Sequence, residues 1–279
     1  MPTSEFEEFA VEYDGLKITG RAAGCGGPVF VFVHGFPDFW GSLVPLAEAL
    51  NPAGRNVFLD LPGYNNAAVA ISADDLQITR VAAGLDAAIR SVCGGEVTWV
   101  GHDWGGAIAW WLWLRRASGF KAFVSMSAPH PASFFRSMND PAQWETSAYA
   151  RELAKPDAGA ALDIEVLSRW AGGSDHRDRL LQVLRRSSPQ AMAGYYRANY
   201  PQRQDVDPGK IPVGEVPFLL AYGIDDPYIA TTTFSGSADY GGGLLSLAPV
   251  SGGHFIHYFQ MAEVSDAIQD WRKNVGQAE

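Results

Sequence analysis

Cysteine is nearly absent from this chain. Only Cys25 and Cys93 occur, each beside a glycine, which excludes a disulfide scaffold and a four-cysteine zinc site. Two reduced thiols suit a reducing compartment, and a cytoplasmic location is expected. Basic residues are also scarce, with 21 Lys and Arg against 31 Asp and Glu for a formal charge of -10. A surface that acidic repels phosphate backbones and argues against a nucleic-acid partner. The stretch from Met1 to Glu12 holds four glutamates and no Lys or Arg, so the basic and apolar regions of a signal peptide are missing there. No apolar run approaches the ~20 residues of a membrane helix. A soluble protein with no membrane partner is the expectation.

What is present is a large apolar fraction, 47%, punctuated by 30 glycines. A chain of 279 residues with that make-up can bury the core of one α/β domain carrying a modest insertion. Asp14-Gly15, between Val11-Glu12-Tyr13 and Leu16-Lys17-Ile18, reads as a hairpin with a tight primed turn. Val29 to Val33 is an unbroken apolar run, the pattern of a strand buried on both faces. Similar runs recur at Asn56 to Leu61, Val97 to Val100, Ala122 to Met126, Pro217 to Tyr222 and Leu244 to Val250. Helical patterns lie between them. Ser72-Ala73-Asp74-Asp75 resembles a capping box, followed at helical spacing by Leu76, Val81, Leu85, Ile89 and Val92. Further helices are expected at Ala107 to Leu114 and Tyr258 to Val275. This alternation predicts an α/β fold, a mostly parallel sheet with helices on both faces.

The alternation stops between about Pro131 and Lys210, where no buried-strand run occurs. Leu162, Val166, Leu167 and Trp170 fit one helical face, and Leu180, Leu181 and Leu184 another. This stretch reads as a layer of helices inserted over the C-terminal ends of the strands.

Gly101-His102-Asp103-Trp104-Gly105-Gly106 sits where a strand gives way to a helix. A nucleophile on so sharp a turn needs small residues two before it and two or three after it, because the backbone passes too close for larger side chains. Gly101, Gly105 and Gly106 satisfy this, and Asp103 stands where a serine hydrolase carries serine. Attack by a carboxylate on an ester or amide would form an anhydride, which is uphill. Attack on saturated carbon forms an alkyl ester that water can cleave. Asp103 therefore points to an electrophilic sp3 carbon, as in an epoxide or alkyl halide, and a carboxylate with an ordinary pKa near ~3.9 needs no base to activate it.

His34-Gly35-Phe36-Pro37-Asp38-Phe39-Trp40 follows the strand Val29 to Val33, where this kind of fold places one oxyanion-hole N–H; the second would come from Trp104. His34 is expected to be a buried imidazole that braces the loop. Gly252-Gly253-His254-Phe255 follows the last strand, and His254 is a suitable base, with His257 as competitor at the start of the closing helix. Tyr222 to Pro227 supplies two candidate acids, Asp225 and Asp226. The chain order is nucleophile, acid, histidine.

These motifs resemble the epoxide hydrolase branch of the α/β-hydrolase superfamily, over nearly the whole length of the chain. The family's HGFP-x-x-W is matched by His34 to Trp40, its GHDWGG by Gly101 to Gly106, its G-x-x-D by Gly223 to Asp226 and its GGHF by Gly252 to Phe255. The third match favours Asp226 over Asp225. Ser127 to Pro131 resembles the start of the family's cap, which implies a core of residues 1–130 and 211–279 and a helical cap (lid) of 131–210. The resemblance also implies two cap tyrosines that hold the epoxide oxygen. Gly194 to Asn199 resembles N-[WY]-Y-R-x-N and places one at Tyr196; Tyr149, seven residues before Pro156, is the other. Tyr195 and Tyr200 read as cap packing.

The implied reaction converts an epoxide to a vicinal diol. Asp103 forms an alkyl-enzyme ester while Tyr149 and Tyr196 assist the oxygen. Water activated by His254 and Asp226 then cleaves the ester as the Phe36 and Trp104 N–H groups hold the oxyanion. Phe36, Trp104, Tyr149 and Tyr196 would line the substrate pocket. No cofactor or metal is implied, the partners are the epoxide and water, and the chain is expected to be a monomer or homodimer. Two rivals remain: a dehalogenase using the same aspartate, and a non-catalytic homologue that only binds. Three departures from the family pattern, at Tyr258 to Met261, Thr231 to Gly243 and Asp60 to Asn66, point to an unusual pocket.

Overall fold

Asp14 and Gly15 have φ of 47° and 79°, the two positive values of a type I′ turn. They fold β1 (Glu7–Tyr13) back on β2 (Leu16–Ala23), with Tyr13 opposite Leu16. The computed structural model describes residues 6–66, 71–173, 175–200 and 212–276. Six further strands are β3 (Val29–Val33), β4 (Arg55–Leu59), β5 (Val97–His102), β6 (Phe120–Met126), β7 (Phe218–Gly223) and β8 (Leu245–Val250). The sheet order is β1-β2-β4-β3-β5-β6-β7-β8, with β2 antiparallel to both its neighbours β1 and β4 and every pair from β4 to β8 parallel.

The unbroken apolar runs are explained by burial on both faces. Along β3, Phe30 and Phe32 enter the core shared with α1 (Val44–Leu50), while Val31 and Val33 enter the core shared with α2 (Ile78–Val92) and α3 (Trp104–Leu114). Side chains alternate across a strand, so each face needs its own apolar set.

The helical expectations need three corrections. Ser72 and Asp75 do form the reciprocal bonds of a capping box, but on a 3-10 turn at Asp74–Leu76. Helix α2 begins later, and Asn199 accepts from its first N–H, that of Ile78, at 2.7 Å. Leu162, Val166, Leu167 and Trp170 do not share one helix. Among the described residues between β6 and β7 lie the helices α4 (Pro131–Ser137), α5 (Pro141–Thr146), α6 (Ala148–Leu153), α7 (Ala158–Ala161), α8 (Ile164–Leu167), α9 (Asp175–Arg185) and α10 (Pro189–Asn199). Leu162 is extended at the end of α7, Asp163 caps α8 anew through the Glu165 and Val166 N–H groups, and Val166 is exposed. Leu180, Leu181 and Leu184 are buried on α9 as expected. The expected boundary at residues 210 and 211 lies outside the described residues.

The third correction concerns the C-terminal part. Two short helices, α11 (Thr231–Ser235) and α12 (Ala238–Gly241), occupy the Gly, Ser and Thr-rich stretch. The closing helix is broken at Gln260 (φ -116°, ψ 32°) into α13 (Ile256–Phe259) and α14 (Met261–Asn274). His257 of α13 is buried, and Val264, Ile268 and Trp271 of α14 join the core beside α1. Among the described residues no helix is long and apolar enough to cross a membrane.

Candidate active site

Four loops at the C-terminal ends of β3, β5, β7 and β8 converge, where open parallel sheets place their ligands. Asp103 follows β5 with φ 51° and ψ -113°, a conformation that is costly for a residue with a side chain. The glycines around it are required by close approach. A Cβ on Gly101 would strike the Gly105 carbonyl, one on Gly105 the Val33 carbonyl, and one on Gly106 the Ser125 hydroxyl. Gly35 has the same constraint, because a Cβ there would collide with the Asp103 side chain.

The Phe36 N–H donates to Asp103 Oδ1 at 2.7 Å, and Asp103 Oδ2 lies 3.7 Å from His254 Nε2. Trp104 begins α3, so its N–H is one of those a helix N-terminus leaves unpaired within the helix. His254 Nδ1 donates to Asp226 Oδ2 at 2.7 Å, and Asp226 Oδ1 accepts from the Tyr228 and Ile229 N–H groups at 2.8 and 3.1 Å. Asp225 is exposed, and its N–H is turned to the Gly252 carbonyl. The structure thus joins Asp226, His254 and Asp103 in one row. Burial alone would lower the pKa of His254. The carboxylates of Asp226 and Asp103 outweigh it and push that pKa up to about 10. That direction favours a proton on the imidazole in the arrangement with both carboxylates beside it.

His34 is buried and neutral, its pKa lowered by burial. Its Nδ1 donates to the Gly35 carbonyl at 2.9 Å, and its Nε2 accepts from the Leu61 N–H at 3.2 Å, so it braces two loops as expected. His257 points away from Asp103. Its Nε2 is 3.0 Å from Asp38 Oδ2, in a buried cluster with His102, whose Nε2 donates to the His254 carbonyl at 3.1 Å. Burial would raise the pKa of Asp38, but the His257 and Ser42 contacts outweigh it and lower it.

The helices between β6 and β7 carry Tyr149 and Tyr196 to Asp103. The Tyr196 ring lies between Phe36 and Trp104, with centroids 5.3 and 5.2 Å away, and Tyr149 is 6.1 Å from Tyr196. Burial, reinforced by neighbouring phenols and by Asp103, pushes both phenol pKa values well above 10, which keeps both hydroxyls protonated donors. Tyr195 donates to the Pro62 carbonyl, and Tyr200 packs against Met138 and the Ser147 carbonyl.

Two cavities open on Asp103. One, of about 360 Å³, runs along Trp111, Leu114, Phe134, Phe135 and Ile229. The other, of about 740 Å³, passes Phe36, Leu153, Arg169, Trp170 and His254. Trp170 roofs the second, donating to the Pro37 carbonyl at 2.8 Å and stacking on Phe255 with centroids 3.9 Å apart. Sequence motifs alone did not reveal Trp170, His102 or Tyr228 as parts of the site. Only the neighbourhood of Tyr228, two residues beyond Asp226, offered a signal.

This sheet, with Asp103 on the sharp turn after β5 and Asp226 paired with His254, has the architecture of a known class. The α/β hydrolase fold family model matches residues 28–259, and the chain belongs to that family. It is 26% identical over 283 residues to the AB hydrolase superfamily protein YfhM of Bacillus subtilis (strain 168), covering 95% of this chain and 97% of that one. It is 28% identical over 182 residues to an epoxide hydrolase of Caballeronia sordidicola, covering 62% of this chain and 55% of that one. A Bacillus megaterium epoxide hydrolase solved with an inhibitor shares the fold at a TM-score of 0.84 and 20% identity, covering 95% of this chain and 100% of that one. The alignment spans about half the length of the Caballeronia enzyme.

Proposed function

We propose that this protein is an epoxide hydrolase, a hydrolase acting on an ether bond, that works through an ester on Asp103. The observation that carries this is a carboxylate, in place of a hydroxyl, at the turn after β5, with one oxygen on the Phe36 N–H and the other free toward His254. The names of the relatives support the substrate class. Helices α4 to α10 act as the cap, and the chemistry needs no cofactor.

In the first step Asp103 Oδ2 attacks one epoxide carbon while the other oxygen stays on Phe36. The C–O bond opens, and Tyr149 and Tyr196 donate hydrogen bonds to the departing oxygen, a poor leaving group without them. Esterification removes the charge of Asp103, one of the two carboxylates that hold the proton on His254. The imidazole then gives up its proton, which neutralises the alkoxide left by ring opening, and becomes the base for the second step. Water attacks the ester carbonyl, the Phe36 and Trp104 N–H groups stabilise the oxyanion, and the diol leaves.

The test is the path of oxygen. In a single turnover in heavy-oxygen water with enzyme in excess, the diol should be largely unlabelled and the peptide bearing Asp103 should gain one heavy oxygen. Label in the first diol and none in the peptide would mean that Asp103 only activates water. Halide release from haloalkanes, measured in parallel, separates this reading from dehalogenation.

The phenols give a second expectation. Tyr196→Phe should slow formation of the Asp103 ester by roughly 10- to 1000-fold, the range for losing a positioned donor. Tyr149→Phe should act in the same direction. Rapid-quench mass spectrometry reads the ester directly, and unchanged rates in both variants would remove the phenols from the first step.

A further inference from the structure

Four residues line both cavities: Asp103, Tyr149, Tyr196 and Tyr228. An epoxide at the junction, with Asp103 on its carbon, therefore meets three phenols and not two. We infer that Tyr228 is a third catalytic phenol, donating a hydrogen bond to the departing epoxide oxygen. This rests on the reading of Asp103 as nucleophile and adds a residue to it.

The Tyr228 ring is the bridge between the cap and the catalytic base, with its centroid 5.1 Å from Tyr149 and 5.2 Å from His254. It is half-buried and held from both sides. Its N–H donates to Asp226 Oδ1 at 2.8 Å, and its carbonyl accepts from Gln143 Nε2 on α5 at 3.0 Å. The Ala230 N–H donates to Gln143 Oε1 at 2.7 Å, which fixes the backbone two residues further on. A phenol on so constrained a loop reaches the junction with little freedom left to lose, the condition for useful stabilisation of developing charge. Burial and the Asp226 and Asp103 carboxylates raise its pKa, so it is a protonated donor at neutral pH. Unlike Tyr149 and Tyr196, it lies on the loop after β7 that also carries Asp226. No group is transferred by Tyr228. The carbon–oxygen bond breaks with its electron pair on oxygen, the bond to Asp103 forms, and the hydroxyl supports the resulting charge.

The experiment is single-turnover quench mass spectrometry with styrene oxide, following first the gain and then the loss of the Asp103 adduct. Tyr228→Phe keeps the ring packed on Tyr149 and His254, so a packing role predicts unchanged rates. The inference predicts adduct formation about 10-fold slower, adduct loss within about twofold of wild type, and an unchanged thermal midpoint. Unchanged adduct formation overturns it. So does normal formation with slowed loss, which would place Tyr228 behind His254 in the second step. A second variant, Tyr149→Phe/Tyr228→Phe, should be slower than either single variant, and equality with Tyr149→Phe would also overturn it. A wild type that never gains the adduct is a different failure, of the Asp103 reading, visible before any variant is made.

Discussion

His254→Gln should stop multiple turnover while leaving one alkylation per molecule. Glutamine fills similar space but cannot take a proton from water, so the ester on Asp103 is formed and not released. The expected loss in steady-state rate is on the order of 10⁴-fold, the scale seen when a member of a nucleophile–histidine–acid set is removed. Mixing the variant with excess epoxide should add the mass of one epoxide, on the peptide that carries Asp103. Sustained diol formation by this variant would move the base elsewhere. His257 is a poor substitute, since its ring faces Asp38 in a fully buried cluster.

Asp226→Asn should be nearly as damaging, and it leaves a signature in stability. The amide cannot enforce the orientation and charge of His254, so activity should fall by about 10³- to 10⁴-fold. The folded-state pKa of His254 is raised from 6.5 to about 10, so protonation favours the folded chain. That contribution is fully present below pH 6.5 and is lost as pH rises toward 10. Thermal midpoints of the wild type, followed from pH 6 to 10 (~0.5 unit steps), should carry this falling component. Asp226→Asn should flatten it, while exposed Asp225→Asn should leave both activity and slope unchanged. Equal slopes in wild type and Asp226→Asn would show that Asp226 does not set the charge of His254.

The central parallel strands were legible because β3, β5 and β7 are buried on both faces and read as continuous apolar runs, while β8 at the sheet edge is only half-buried. Asp103 was legible because its turn demands glycines at fixed offsets, and the contacts of Gly101, Gly105 and Gly106 show those demands in atoms. The choice of Asp226 came from the resemblance at Gly223 to Asp226, and its physical reason is the path of the β7 loop, which turns Asp226 to His254 and leaves Asp225 exposed. The helical layer was legible as helices and not as boundaries. Asp163 restarts a helix where the spacing of Leu162 and Val166 suggested continuity, because a local cap outweighed a weak apolar pattern. Trp170 could not be placed at the site from local sequence, and Tyr228 was signalled only by its nearness to Asp226. Their roles exist only where loops distant in the chain meet.

Gln143 has a consequence for how this pocket could diversify. Its side chain is fully buried and serves the Tyr228 carbonyl, the Ala230 N–H and the Thr233 hydroxyl at once. A set of helices transplanted from a relative would bring a new chamber. Without an amide at this place it would also leave polar groups of the Asp226 loop stranded, at about 1–3 kcal/mol for each one that stays buried. Among the described residues α6 and α8 make no hydrogen bond to that loop, though Tyr149 of α6 packs its ring on Tyr228. Variation in substrate range is therefore cheapest along Leu153, Val166 and Leu167, and a chimera should keep α5, Tyr149 on α6 and Tyr196 on α10 while exchanging the side chains along that wall.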